Sequence, residues 1–224
     1  MRRPEFIASQ GRQPSGILGS LLARVMAVET AAENAAALEL LEIQPTDRVL
    51  ELGFGHGRTI ARAARAAYAG FVAGVDWSQR MVQVATRYNR RLIGDGRAEL
   101  KRSLSSQLPY PDRGFDKVYA VHTIYFWTAP SEDLREIARV MKLGARLVLA
   151  FRPRDASTSA AFPDGIYKHY APEEVQTLLE DAGFEDVQTI DRLISRRAIS
   201  FTVARRAAVS QNAIPNGPKE ETRP

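Results

Sequence analysis

Short apolar runs alternate with helical patterns along most of this chain. Strands are expected at 48–52, 71–75, 98–100, 115–121, 146–151, 184–193 and 199–204. Between them apolar residues recur at helical spacing. One helix is expected over 15–29, with Ile17, Leu18, Leu21, Leu22, Val25 and Met26 on one face. An alanine-rich helix follows over 30–43, with Ala37, Leu38, Leu40 and Leu41 apolar, and Pro45 stops it. Others are expected over 59–68, from Ser78 with Met81, Val82 and Ala85 inward, and from a Ser131 cap to Gly144. A last one starts at Pro172 and ends at Gly183. Strands and helices in this alternation predict a parallel α/β sheet. The turn between the last two strands, Ser195 to Ala198, is too short for a crossover helix, so that pair must be antiparallel.

The first strand carries the most information. Val49-Leu50-Glu51-Leu52 runs straight into Gly53-Phe54-Gly55-His56-Gly57, and the second strand ends in Asp76. Glycines after a strand let the backbone approach a ligand that any Cβ would push away. Asp76 is placed to accept hydrogen bonds from ribose hydroxyls. This is the layout of a nucleoside pocket at the carboxyl end of a parallel sheet. It departs from the dinucleotide fingerprint: the third glycine comes one residue early, and Arg58 stands where a small residue is expected. Glu51 would repel a pyrophosphate but suits a cofactor with a cationic amino-acid end. Its plainer alternative is an ion pair with a nearby arginine such as Arg48 or Arg12.

Glu51-Leu-Gly-Phe-Gly-His-Gly57 resembles the first motif of the class I S-adenosylmethionine-dependent methyltransferases, E/D-x-G-x-G-x-G. Gly74-Val-Asp-Trp-Ser-Gln-Arg-Met81 is similar to the second motif. Leu108-Pro-Tyr-Pro-Asp-Arg-Gly-Phe-Asp116 and Met141-Lys-Leu-Gly-Ala-Arg-Leu-Val148 resemble segments of the ubiquinone/menaquinone-type methyltransferase group. The resemblance spans about residues 12–205. It implies a Rossmann-like α/β fold: a seven-stranded, mostly parallel sheet with one antiparallel strand and helices on both faces. It implies S-adenosyl-L-methionine as cofactor, held by Glu51, Gly53, Phe54, Gly55, Gly57, Asp76 and Trp77. Asp76 would take the ribose and Trp77 the adenine face. The group's usual acidic residue before the Leu-Pro pair is replaced here by Ser103 and Leu104, so adenine recognition would fall to backbone groups and Ser103, Leu104 and Ser105. The expected organisation is an N-terminal helical lid segment over 1–44, a methyltransferase domain over 45–206 and a disordered tail over 207–224. Arg12 to Gly16 is either a cover over the cofactor or a leader.

Methyl transfer by in-line displacement mainly needs reactants aligned and kept dry. A base is needed only where the acceptor must lose a proton. His122, after the fourth strand, is the best base candidate; its plainer alternative is a cofactor contact or a helix cap. Tyr125 could orient a substrate hydroxyl, or simply pack with Phe126 and Trp127 over the pocket mouth. His56 is read as lining the cofactor, and His169-Tyr170 as lid or loop anchor. The aromatic rim suits a small, partly apolar acceptor.

Composition narrows the classes further. The 224 residues contain no cysteine, which removes cytosine C5 methylation, arsenite methylation, thiolate metal sites and disulfides. No metal-ligand cluster is visible. No apolar run approaches a membrane span and no signal peptide stands out, so a cytoplasmic location is expected. The net charge of +5 comes from scattered arginines without interleaved aromatics, which disfavours nucleic acid as partner. The competing readings are an RNA or protein methyltransferase of this fold, a nicotinamide-dependent oxidoreductase, and a binding protein that lost the chemistry.

Overall fold

The computed structural model describes residues 30–154 and 167–208. The helix expected over 15–29, the Arg12–Gly16 segment, most of the loop before Pro172 and the tail from 209 lie outside them. Seven strands form one sheet: β1 (Arg48–Leu52), β2 (Phe71–Asp76), β3 (Ala98–Arg102), β4 (Phe115–Val121), β5 (Met141–Phe151), β6 (Phe184–Ile194) and β7 (Arg197–Arg206). Their spatial order is β3-β2-β1-β4-β5-β7-β6. The pairs from β3 to β5 are parallel, and β7 runs antiparallel to both β5 and β6. The order reverses between β1 and β4, and an open α/β sheet leaves its ligand crevice at that switch point.

The two faces are separate cores. Alternation along each strand divides the residues between them. On one face Leu50, Ala73, Val118 and Leu147 pack with Leu134 and Ile137 of α5 (Pro130–Val140) and Val175 and Leu179 of α6 (Pro172–Asp181). On the other, Val49, Val72, Tyr119 and Val148 meet α1 (Ala31–Leu41), α2 (Arg58–Ala66) and α3 (Gln79–Tyr88). Strands covered on both sides are apolar almost throughout, which is why β1 and β4 were plain in the sequence. Ser78 opens α3 as expected, its hydroxyl accepting from the Met81 amide.

The differences have local causes. The chain enters α5 through Pro130 at its first turn, not through a Ser131 cap. Proline arrives with its φ already helical and no N–H to satisfy. The helix ends at Val140 rather than at Gly144, because the Arg113 and Gly114 amides take the carbonyls of Arg139 and Val140. Met141 is then free to extend, and β5 starts five residues earlier than the apolar run implied. Gly144 (φ +73°) lies within β5, where the pairing with β4 shifts register. A short helix α4 (Arg90–Gly94) follows α3 before β3. The β6–β7 hairpin turns through Ser195 and Arg196, both with positive φ.

The glycine loop is built for close packing. A Cβ on Gly53 (φ +73°) would sit 2.3 Å from Thr123 Cγ2, and one on Gly57 (φ +70°) 2.6 Å from Ala85 Cβ. A Cβ on Gly55 (φ +53°) would meet nothing within 4 Å. Gly57→Ala combines backbone strain with a clash and should cost about 2–4 kcal/mol. Gly55→Ala carries only the strain, about 1 kcal/mol. Urea unfolding of both variants checks this, and equal losses would contradict it.

Candidate active site

Glu51 is drawn into the sheet by its neighbours. It lies opposite Gly74 of β2 and Tyr119 of β4. Only 4 % of it is exposed, and its carboxyl accepts a 2.6 Å hydrogen bond from the Tyr119 hydroxyl. Burial pushes its pKa up to about 8; the Tyr119 hydrogen bond opposes this and the nearby Asp76 charge adds to it. Arg48 is not its partner: that guanidinium donates to the Gly114 carbonyl and stacks over Phe71.

Asp76 closes β2. One carboxylate oxygen accepts from the Gly55 amide and the other from the Ser78 amide, both at 2.8 Å. Burial raises its pKa, and the two amides resist the rise. Each oxygen keeps a lone pair for a further donor. Gly53 donates to the Val75 carbonyl at 2.8 Å, which holds the loop against the β2 end.

These groups border a cavity of about 570 Å³. Of the sequence-expected residues, Glu51, Gly53, Phe54, Gly55, Asp76, Trp77, Ser103, Leu104, Ser105, His122 and Tyr125 all line it. His56 and His169 do too. Gly57 does not; it packs α2 against α3. Trp77 and Leu104 are unusually exposed for their size, at 43 % and 42 %, and form an apolar rim. The Arg102 guanidinium lies 4.6 Å from the Trp77 ring centre. The Ser103 hydroxyl donates to the Gln107 carbonyl and that of Ser105 to Asp133, so both offer a ligand only acceptor lone pairs.

The other end is aromatic. Tyr125, expected at the mouth, is instead only 6 % exposed within the wall. Its hydroxyl accepts from the Arg152 amide and meets His122 Nδ1 at 3.0 Å. Phe126 and Tyr167 lie 4.9 Å apart, and His169 is 5.3 Å from Tyr125, by ring centres. The Lys168 amide donates to the Tyr125 carbonyl, which ties segment 167–170 to this wall.

Sequence reasoning missed Glu33, Thr123 and Asp133. Glu33 is buried on α1 and its carboxylate meets His122 Nε2. The signal was present, because Glu33, Ala37 and Leu41 share one helical face. Thr123 lines the cavity with a buried hydroxyl that has no partner. Asp133 is 4 % exposed at the start of α5. Nothing in the sequence marks the last two as facing a cavity.

The folded protein keeps the Glu51 proton up to about pH 8, whereas a free carboxyl loses it near 4.5. The fold therefore loses stability as pH rises through that interval. Glu51→Gln should match the parent near pH 5 and exceed it above pH 8, by a few kcal/mol at most. Urea midpoints at the two pH values test this; a gain that does not vary with pH would contradict it.

Comparison with known proteins agrees with this geometry. Residues 50–149 match the family model described as a methyltransferase domain. YrhH of Bacillus subtilis (strain 168), which carries a methyltransferase name, is 30 % identical over 69 % of this chain and 78 % of its own. The 27-O-demethylrifamycin SV methyltransferase of Amycolatopsis mediterranei (strain S699) is 28 % identical over 65 % of this chain and 57 % of its own. A SAM-dependent methyltransferase from Aquifex aeolicus superposes with a TM-score of 0.66 and 22 % identity, over 78 % of this chain and 90 % of that one. With a buried carboxyl at the end of β1, a doubly anchored aspartate at the end of β2 and a glycine loop between them, the chain belongs to the class I S-adenosylmethionine-dependent methyltransferases.

Proposed function

We propose that this enzyme methylates a small, partly apolar acceptor by in-line displacement. The observation that carries the reading is the aromatic end of the cavity, where Tyr125, Phe126, Trp127 and Tyr167 enclose a space suited to a small ring. The relative named for 27-O-demethylrifamycin SV supports a small-molecule acceptor with oxygen as the acceptor atom. Among the described residues no helix is long and apolar enough to cross a membrane.

The residues present fit the cofactor. When bound, S-adenosylmethionine supplies a methyl group already activated on a sulfonium. Glu51 would take the cationic amino-acid end, since a buried carboxyl is most stabilised by an opposite charge beside it. The free lone pairs of Asp76 would accept from ribose hydroxyls. Trp77 and Leu104 would cover the adenine, and the unpartnered Thr123 hydroxyl would meet a polar group of the ligand. The acceptor wall aligns the second reactant and excludes water. Thr30, Ala31 and Asn34 also line the cavity, which supports reading residues 1–44 as a cover for the site.

Two measurements test this. Asp76→Ala should weaken S-adenosylhomocysteine binding by about 1–3 kcal/mol in calorimetry; unchanged affinity would remove Asp76 from the site. Methyl transfer from labelled S-adenosylmethionine to a panel of phenols, hydroquinones and small amines, with bulk RNA and protein alongside, should label a small molecule. Label only in RNA or protein would overturn the reading.

A further inference from the structure

One buried charge has no part in this chemistry so far. Glu33 is 1 % exposed in a helix made mostly of alanine and leucine. A carboxylate is costly to bury without a partner. It also lies before residues 50–149, which match the family model. Its partner is His122, held at the end of β4 in a left-handed backbone conformation (φ +59°) that a side chain rarely adopts. Such an outlier survives only where its surroundings over-determine it. Here the His122 amide donates to the Ala150 carbonyl, and both ring nitrogens are engaged.

The Arg152 amide can only donate, so the Tyr125 oxygen accepts from it. The ionised Glu33 carboxylate can only accept, so His122 Nε2 carries a proton and donates to it. In the neutral ring Nδ1 is then bare and takes the phenolic hydrogen of Tyr125. Burial would raise the Glu33 pKa, but His122, Arg152 and Arg197 outweigh it and hold the carboxylate below its usual range. Burial pushes the Tyr125 phenol well up; the Arg152 amide and charge oppose this, while Glu33 and Tyr167 add to it. Tyr125 is thus suited to pass a proton and not to lose one outright. Tyr125 and His122 both face the cavity, and the Tyr125 oxygen keeps room to accept one more hydrogen bond.

We propose that Tyr125, His122 and Glu33 form a proton relay for an acceptor hydroxyl, with Glu33 as a positioning residue acting through His122. This rests on the small-acceptor reading above. The acceptor's O–H proton passes to the Tyr125 oxygen as the phenolic proton passes to His122 Nδ1. The electron pair of the broken O–H bond stays on the acceptor oxygen and forms the new bond to the methyl carbon. The pair of the methyl's former bond leaves with sulfur. His122 ends as an imidazolium between Tyr125 and the Glu33 carboxylate, and its proton returns to solvent after product release.

The chain has three histidines, so ¹⁵N-histidine spectra of the full-length protein can resolve His122 directly. In the wild-type protein the neutral His122 ring is expected to show Nε2 protonated and Nδ1 bare; the opposite tautomer would overturn the relay. With S-adenosylmethionine and catechol as acceptor, Glu33→Gln and Tyr125→Phe should each lower kcat about 100-fold or more, the range of general acid–base effects. In Glu33→Gln, which removes no acceptor contact, KM for catechol should hardly change. Thiophenol ionises without help, so its methylation by Glu33→Gln should stay within about threefold of wild type, on the same acid–base ground. Equal loss with both acceptors would mean a structural role and would sink the proposal. Failure of the wild-type enzyme to methylate either compound would count against the small-acceptor reading, and the His122 tautomer would then decide the relay alone.

Discussion

The site depends on keeping two carboxyl groups at the ends of adjacent parallel strands out of water, Glu51 almost wholly and Asp76 in part. Burial drives both toward the protonated form, and each resists by a different means. Asp76 is held by two backbone amides that exist only because the glycine loop and the start of α3 converge on it. Glu51 has a single phenol and a neighbouring negative charge. The arrangement is costly for the empty protein and favourable for a ligand that brings a cation and hydroxyl donors. The tight glycine loop follows from it: Gly53 must pass beside Thr123, and Gly55 presents its amide to Asp76 from a left-handed backbone conformation (φ +53°).

Much of this was legible in the sequence, for identifiable reasons. β1 and β4 are central, covered on both faces, and their bounds could be read from apolar runs alone. The reversed last strand followed from the length of one turn. Glu51 and Asp76 were visible because a charge at the end of a buried strand is anomalous. Elements fixed by tertiary hydrogen bonds were not legible. The end of α5 depends on amides from residues 113 and 114, far away in sequence, and the register shift at Gly144 depends on β4. Glu33 looked like one more polar residue of an amphipathic helix until its face met His122. Tyr125 was placed at the mouth because its burial depends on the return of segment 167–170 across it.

On the proposed reading the two ends of the cavity divide the work. The end nearest β1 and β2 is polar and backbone-rich, with Trp77 and Leu104 as its apolar rim. The end nearest β4 and β5 is aromatic, with its polar atoms chained inward from Tyr125 to His122 to α1. Such a division lets one scaffold keep a cofactor pocket while the acceptor wall changes.

The central claim is that Glu51 holds its proton in the empty protein and gives it up to a cationic ligand. Calorimetric titration of S-adenosylmethionine near pH 7, in buffers of different ionisation enthalpy, counts protons released on binding. Release of between about half a proton and one, abolished in Glu51→Gln, is the result expected from a carboxyl titrating near 8. Binding with no proton release, or with the same release in the variant, would contradict it.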